Sequence, residues 1–278
     1  MVRSSKSFVK LLVALGVTGG CLAAVPSCKD NNETLFIRQI QAPVAPDCAP
    51  KNDATAVFIA RGVMDSALST RYFAFALVGN QLVSRGDFRT TRAEPNRVQI
   101  KGADVHLLDS SQNEVAFYSV VATGIVDPTT SADPGYGLAS MELIPHAVGV
   151  KIQQQLAAGK GTAVQTYEIR FRVFGTTLGG TDVTSNEYDF PLDICYGCTV
   201  SFPADSWLTT AGTSGVRNCL AASTSSGSTI PGQIPACYTG QDGVTDCRNC
   251  QGNPVCTPCV SDAQCGARTC GVDVGHCL

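Results

Sequence analysis

The chain predicts a mainly β fold: an Ig-like antiparallel β-sandwich with one short helix, followed by a disulfide-rich irregular module. Three observations carry this expectation. Short runs rich in β-branched and aromatic residues recur at hairpin spacing over residues 51–194. Two of these runs alternate apolar and charged residues with a period of two. Eleven of the 14 cysteines lie in the last 84 residues, from Cys195 on, which hold only four aromatics.

Residues 1–27 predict a lipoprotein signal peptide. Arg3, Lys6 and Lys10 precede an uncharged, mostly apolar run from Leu11 to Val25, the basic and apolar regions of a secretory signal. A membrane span needs ~20 apolar residues, and Gly16, Gly19, Gly20 and Pro26 interrupt this run. Residues 28–50 read as a tether and first strand: the polar KDNNET at 29–34, then Leu35 to Ile40, then Pro43, Pro46 and Pro50 around Cys48.

Within 51–194, Thr55–Ala60 and Arg71–Val78 have strand composition, and Gly79-Asn80 predicts a two-residue hairpin turn. A second hairpin joins Ala103–Asp109 to Val115–Val121 through the polar Ser110-Ser111-Gln112-Asn113. Pro145 opens a helix through Val148, Ile152 and Leu156, with Gly159 near its end. Tyr167, Ile169, Phe171 and Val173 should then face inward, with Glu168, Arg170 and Arg172 outward. Tyr188, Phe190, Leu192 and Ile194 repeat the pattern with Glu187, Asp189 and Asp193 outward, so the two strands suit an antiparallel pair with opposite charges across the ladder.

Residues 195–278 cannot bury a large core, and disulfides must replace that burial at ~2–4 kcal/mol each. The candidates are Cys48, Cys195, Cys198, Cys219, Cys237, Cys247, Cys250, Cys256, Cys259, Cys265, Cys270 and Cys277, since thiols of an exported chain oxidise. Ser/Thr/Gly-rich stretches at 209–215 and 222–229 read as loops. Cys48 precedes the sandwich and is placed to bridge into this module.

Cysteine parity bears on the anchor. Val17-Thr18-Gly19-Gly20 before Cys21 makes the better lipidation box, whereas Pro26 weakens the one before Cys28. Lipidation of Cys21 strands one thiol; lipidation of Cys28 leaves twelve cysteines for six bridges, so Cys28 is the expected attachment and Cys21 the alternative. An ordinary cut after Ser27 would again leave an odd count. Six tether residues reach ~20 Å, which would hold the body close to its membrane.

Catalytic signatures are sparse. Cys195/Cys198, Cys247/Cys250 and Cys256/Cys259 are C-x2-C pairs, but they sit among Gly, Pro and Asn without the strand and helix that a thioredoxin-like centre needs. A zinc set from Cys247, Cys250, Cys256 and Cys259 has a spacer of five residues, against the ~15–20 of a zinc ribbon. His106, His146 and His276 form no metal motif, and no G-x-S-x-G elbow or phosphate loop is present. Gly179-Gly180 reads as a turn between strands. The expectation is no catalytic residue, no metal and no cofactor. The formal charge of −3 becomes more acidic once the three leader cations are lost, which disfavours nucleic acid as a partner.

FGTTLGGTDVTSNEYDFPLDICYGC at 174–198, LFIRQIQAP at 35–43 and CRNCQGNPVCTPC at 247–259 together resemble uncharacterised cysteine-rich lipoproteins of myxobacteria. The resemblance covers most of the mature chain and implies an outer-membrane lipoprotein in a Gram-negative envelope, with no activity to carry over. The functional expectation is a lipid-anchored envelope protein with a non-enzymatic binding, adhesion or structural role toward an envelope protein or glycan. The alternative is an envelope enzyme, either a thiol-disulfide exchanger using a C-x2-C pair or a hydrolase whose acids the sequence does not single out.

Overall fold

The computed structural model describes residues 34–86, 93–158, 164–202, 237–257, 259, 261–265, 269–271 and 276–277. The leader with Cys21 and Cys28, most of the tether, Cys219, Gly159 and both Ser/Thr/Gly-rich stretches lie outside the described residues.

The described residues are mainly β, with one α-helix. The sandwich strands are β1 (Leu35–Gln41), β2 (Phe58–Ile59), β3 (Gly62–Asp65), β4 (Tyr72–Asn80), β5 (Val98–Leu108), β6 (Glu114–Val126), β7 (Gly135–Ile144), β8 (Gln165–Thr177), β9 (Asp182–Thr184) and β10 (Tyr188–Cys195). They run in the order β2-β1-β4-β7-β6-β5-β8-β10-β3, with β9 on β8. β6 is the hinge of this path. It pairs with β5 along almost its whole length but with β7 only at Ala122 and Thr123, so the sheet turns there into two facing layers.

Alternation decides what lies between the layers. Ile169, Phe171 and Val173 of β8 and Phe190, Leu192 and Ile194 of β10 are buried, and they join Ile37, Ile40, Ala74, Ala76 and Val78 from β1 and β4 in one core. Tyr72 meets Phe190 across the gap with ring centroids 5.8 Å apart. Each such large side chain contributes ~1.5–3 kcal/mol by leaving water. The outward charges pair across the ladder: Arg170 Nε lies 2.8 Å from Asp189 Oδ1, and Arg172 Nε 3.5 Å from Asp104 Oδ2 on β5. These exposed pairs set register more than stability.

Helix α1 (His146–Ala158) starts where expected, after Pro145, and buries Gly149, Ile152 and Leu156. The Glu142 carboxylate accepts from the His146 N–H at the open N-terminus. Gly149 lets the helix touch the chain before β4, because a Cβ there would stand 1.9 Å from the Thr70 carbonyl oxygen.

Three features depart from the expected pattern. Gly79-Asn80 makes no hairpin but forms the end of β4. Gly79 lies under the Phe36 ring, which a Cβ would approach to 2.2 Å. Asn80 is buried, its amide donating to Asn96 O at 2.9 Å and its Oδ1 accepting from Leu82 N–H. A close approach and a buried side-chain cap have used residues that in isolation signal a turn. The second departure is β3, which pairs parallel with β10, Leu192 opposite Gly62 through Cys195 opposite Asp65, so the otherwise antiparallel sheet is mixed. Thr55–Ala60 also contributes only the two-residue β2.

The loop between β4 and β5 is closed by one carboxylate. Glu94 accepts from the Ser84 hydroxyl and from the N–H groups of Arg85, Gly86 and Asn96. Desolvation pushes its pKa up, but those hydrogen bonds outweigh it and hold the carboxyl at about 2. Its folded pKa is thus below the unfolded value. The stabilisation is complete above about pH 4.5 and is lost as pH falls through about 2. Amide hydrogen exchange at Arg85, Gly86 and Asn96 is expected to accelerate, relative to the core strands, between pH 4.5 and 2; Glu94→Ala should show that acceleration already at pH 7.

Candidate binding groove

The two ends of the sheet path are treated differently. At the β3 end the C-terminal segment covers the edge: Asp65 N–H donates to Gly240 O, Asp242 N–H to Val63 O, and Met64 bridges Gln241. At the other end, among the described residues, β2 pairs with β1 alone. Its Phe58 and the preceding Val57 are 54% and 66% exposed, so among the described residues no strand or charged side chain blunts this edge.

Next to β2 lies a cavity of about 270 Å³, lined by Ala42, Pro43, Val44, Ala45 and Ile59 on one side and Cys237, Tyr238, Gln241 and Asp242 on the other. Its walls come from segments far apart in sequence, joined by the Cys48–Cys237 disulfide. Gln241 fixes the second wall. Its side-chain amide donates to Phe73 O and accepts from Phe73 N–H, continuing the ladder on β4 beyond Ala76, where the β1 register ends. Tyr238 stacks on Phe73 with centroids 5.7 Å apart.

Asp242 supplies the polar group of an otherwise largely apolar cavity. Its Oδ1 accepts from Val63 N–H at 2.8 Å, and its Oδ2 from the Tyr72 hydroxyl at 2.8 Å and Gln241 Nε2 at 3.3 Å. Desolvation by the crowded neighbours raises its pKa, opposed by those three hydrogen bonds, although the residue as a whole is solvent-exposed. Desolvation first and Asp242 second push the buried Tyr72 hydroxyl well above the ordinary range.

The cysteines form a different constellation. Cys195 bonds Cys198, Cys250 bonds Cys256, Cys259 bonds Cys270, and Cys265 bonds Cys277. Cys247 is also disulfide-bonded; every other described cysteine is already paired, so its partner lies outside the described residues. Of the three C-x2-C motifs, Cys195-x2-Cys198 closes on itself. Its sulfurs lie within 4.8 Å of a carboxylate oxygen of Asp65, with Cys195 buried and Cys198 exposed. This arrangement opposes thiol exchange. Attack at the accessible Cys198 would expel a Cys195 thiolate into a buried site beside a carboxylate, which disfavours the leaving group, and the following residues form strand β11 (Val200–Ser201), not a helix. A disulfide sulfur is also no thiolate ligand, and Cys247, Cys250, Cys256 and Cys259 are all disulfide-bonded, which removes that zinc set.

His106 and His146 sit on separate elements. His106 faces outward, 2.6 Å from Glu114 and against Phe117, and His146 bonds Thr70 at 2.7 Å. Sequence reasoning missed Ile59, Tyr238, Gln241 and Asp242. The one available signal was Gly240-x-Asp242-Gly243, a turn signature, and it says nothing about the wall that turn meets.

No protein-family model and no curated protein matches the chain. Among solved structures, a solution structure described as a late embryogenesis abundant (LEA) protein is similar at 11% identity and a TM-score of 0.28, covering 67% of this chain and 84% of that one. That degree of similarity carries no argument.

Proposed function

We propose that this chain is an envelope-anchored lipoprotein with a non-enzymatic binding role, presenting the β2 edge and its cavity to an extended segment of an envelope protein. The observation that carries the reading is a largely apolar cavity opening beside a sheet edge that pairs with no further strand among the described residues, flanked by exposed Val57 and Phe58. Strand addition uses these two parts: edge amides and carbonyls supply affinity, and a pocket reads alternate side chains. A glycan would meet few polar groups here, whereas a polypeptide strand meets both.

The anchor reading rests on the leader's charge and apolar pattern and on parity. Eleven described cysteines are bonded. Six bridges need one further cysteine, and a cut before Cys28 supplies that even count while leaving Cys28 for the acyl group and Cys21 within the removed leader. Among the described residues no helix is long and apolar enough to cross a membrane.

A photo-crosslinking side chain at Val57 tests the binding role in cells that make the full chain. A discrete protein adduct from Val57 that is absent from the outward-facing Lys101 of β5 is expected. Equal labelling from both positions, or none from Val57, overturns the assignment of this edge.

A further inference from the structure

We infer that the cavity beside β2 is a lysine pocket: it takes the side chain of a lysine carried on the partner strand, aliphatic stem against the apolar wall and ammonium on Asp242. The inference rests on reading this groove as a binding site and names what it selects.

The first argument is unmet acceptor capacity. A carboxylate offers about four lone-pair positions, and Asp242 meets three donors, Val63 N–H, the Tyr72 hydroxyl and Gln241 Nε2. All three are neutral. Among the described residues no arginine, lysine or histidine is paired with this carboxyl, whereas Asp189, Asp193, Asp127 and Asp246 each have an arginine. A carboxyl whose hydrogen-bond partners are all neutral gains from an incoming positive charge; the raised pKa of Asp242 agrees with that.

The second argument is shape. About 270 Å³ is small beside the ~300–1,000 Å³ of pockets for drug-sized molecules, and suits one side chain. Ala42, Pro43, Val44, Ala45 and Ile59 offer hydrocarbon to a methylene stem, while the carboxyl offers a charge to its end. A purely aliphatic residue would cover Asp242 and leave its charge unpaired. A carboxylate side chain would meet like charge.

The test uses wild-type protein with disulfides intact, followed by NMR of backbone amides on titration with acetyl-Val-Lys-Val-amide and with its norleucine isostere, which keeps the stem and drops the ammonium. The lysine peptide is expected to bind at least tenfold more tightly, to shift Phe58, Ile59, Tyr238 and Asp242 signals, and to lose that advantage in Asp242→Asn. Equal affinity of the two peptides for the wild type overturns the lysine inference without needing any variant. If both peptides shift Phe58 and Ile59 equally, the edge-binding reading stands and the lysine pocket falls. If neither shifts them, both fall. Free n-butylammonium binding as tightly as the lysine peptide would mark a small-amine site and overturn the assignment to a strand-borne lysine.

Discussion

Replacing Asp65 with alanine is expected to lower the unfolding free energy by about 3 kcal/mol or more, the largest effect of any single substitution considered. Asp65 is fully buried at the end of β3. Its Oδ1 accepts from Gly197 N–H at 2.7 Å and Ala67 N–H at 3.1 Å, and its Oδ2 accepts from both the N–H and the hydroxyl of Thr199 at 2.9 Å. This one carboxylate therefore pins the turn after β3 to the Cys195–Cys198 loop, 132 residues further along. Truncation leaves several buried donors without an acceptor, at about 1–3 kcal/mol each before relaxation. For a body of this size each kcal/mol moves the melting temperature by ~2–4 °C, so a drop of roughly 6–12 °C should appear in thermal unfolding under oxidising conditions. Asn at this position keeps one acceptor and turns an amide on the other donors, so an intermediate loss is expected. An unchanged melting temperature in Asp65→Ala would show that water replaces the carboxylate and that the clasp is not structural.

Removing the Cys48–Cys237 bridge by the double change Cys48→Ser and Cys237→Ser is expected to cost about 2–4 kcal/mol. The bond closes a sequence separation of 189 residues, for which loop entropy alone would give about 5 kcal/mol. Residual order in the reduced, unfolded chain lowers the realised figure below that value; β12 (Thr245–Asp246), paired with β11, and the Gln241 contact with Phe73 remain in the folded state to hold the C-terminal segment. The change should be local as well as global. Cys237 lines the cavity and Cys48 follows its proline wall, so hydrogen exchange at Val44, Tyr238 and Gln241 should rise more than in β5 or β8. Uniform acceleration would contradict a specific role in shaping the groove.

Local chemistry was legible in the sequence, and long-range chemistry was not. The alternation in β8 and β10 was readable because a half-buried strand must repeat with period two, and the charges that pair Arg170 with Asp189 were visible in it. The helix after Pro145 was readable from its start signal and spacing. Gly79-Asn80 misled because glycine meets two demands, a turn or a close approach, and only the fold shows Phe36 lying on it. The parallel pairing of β3 with β10 joins segments about 130 residues apart and leaves no local trace. Disulfide connectivity follows the same rule: spacing suggested C-x2-C units, yet Cys250 turns to Cys256 and Cys259 to Cys270. The groove was illegible for the same reason. Its walls are a proline loop and a Gly-Gln-Asp-Gly turn, each unremarkable until Gln241 finds the open backbone of Phe73.

Intact mass spectrometry of the protein recovered from membranes, without reduction, tests the central claim most directly, because it reads the cut site, the acyl mass and the thiol count together. The account predicts a chain that begins at an acylated Cys28 and carries twelve further cysteines, all oxidised, with Cys219 joined to Cys247 on peptide mapping. An unmodified N-terminus, or free thiols among those twelve, would contradict it.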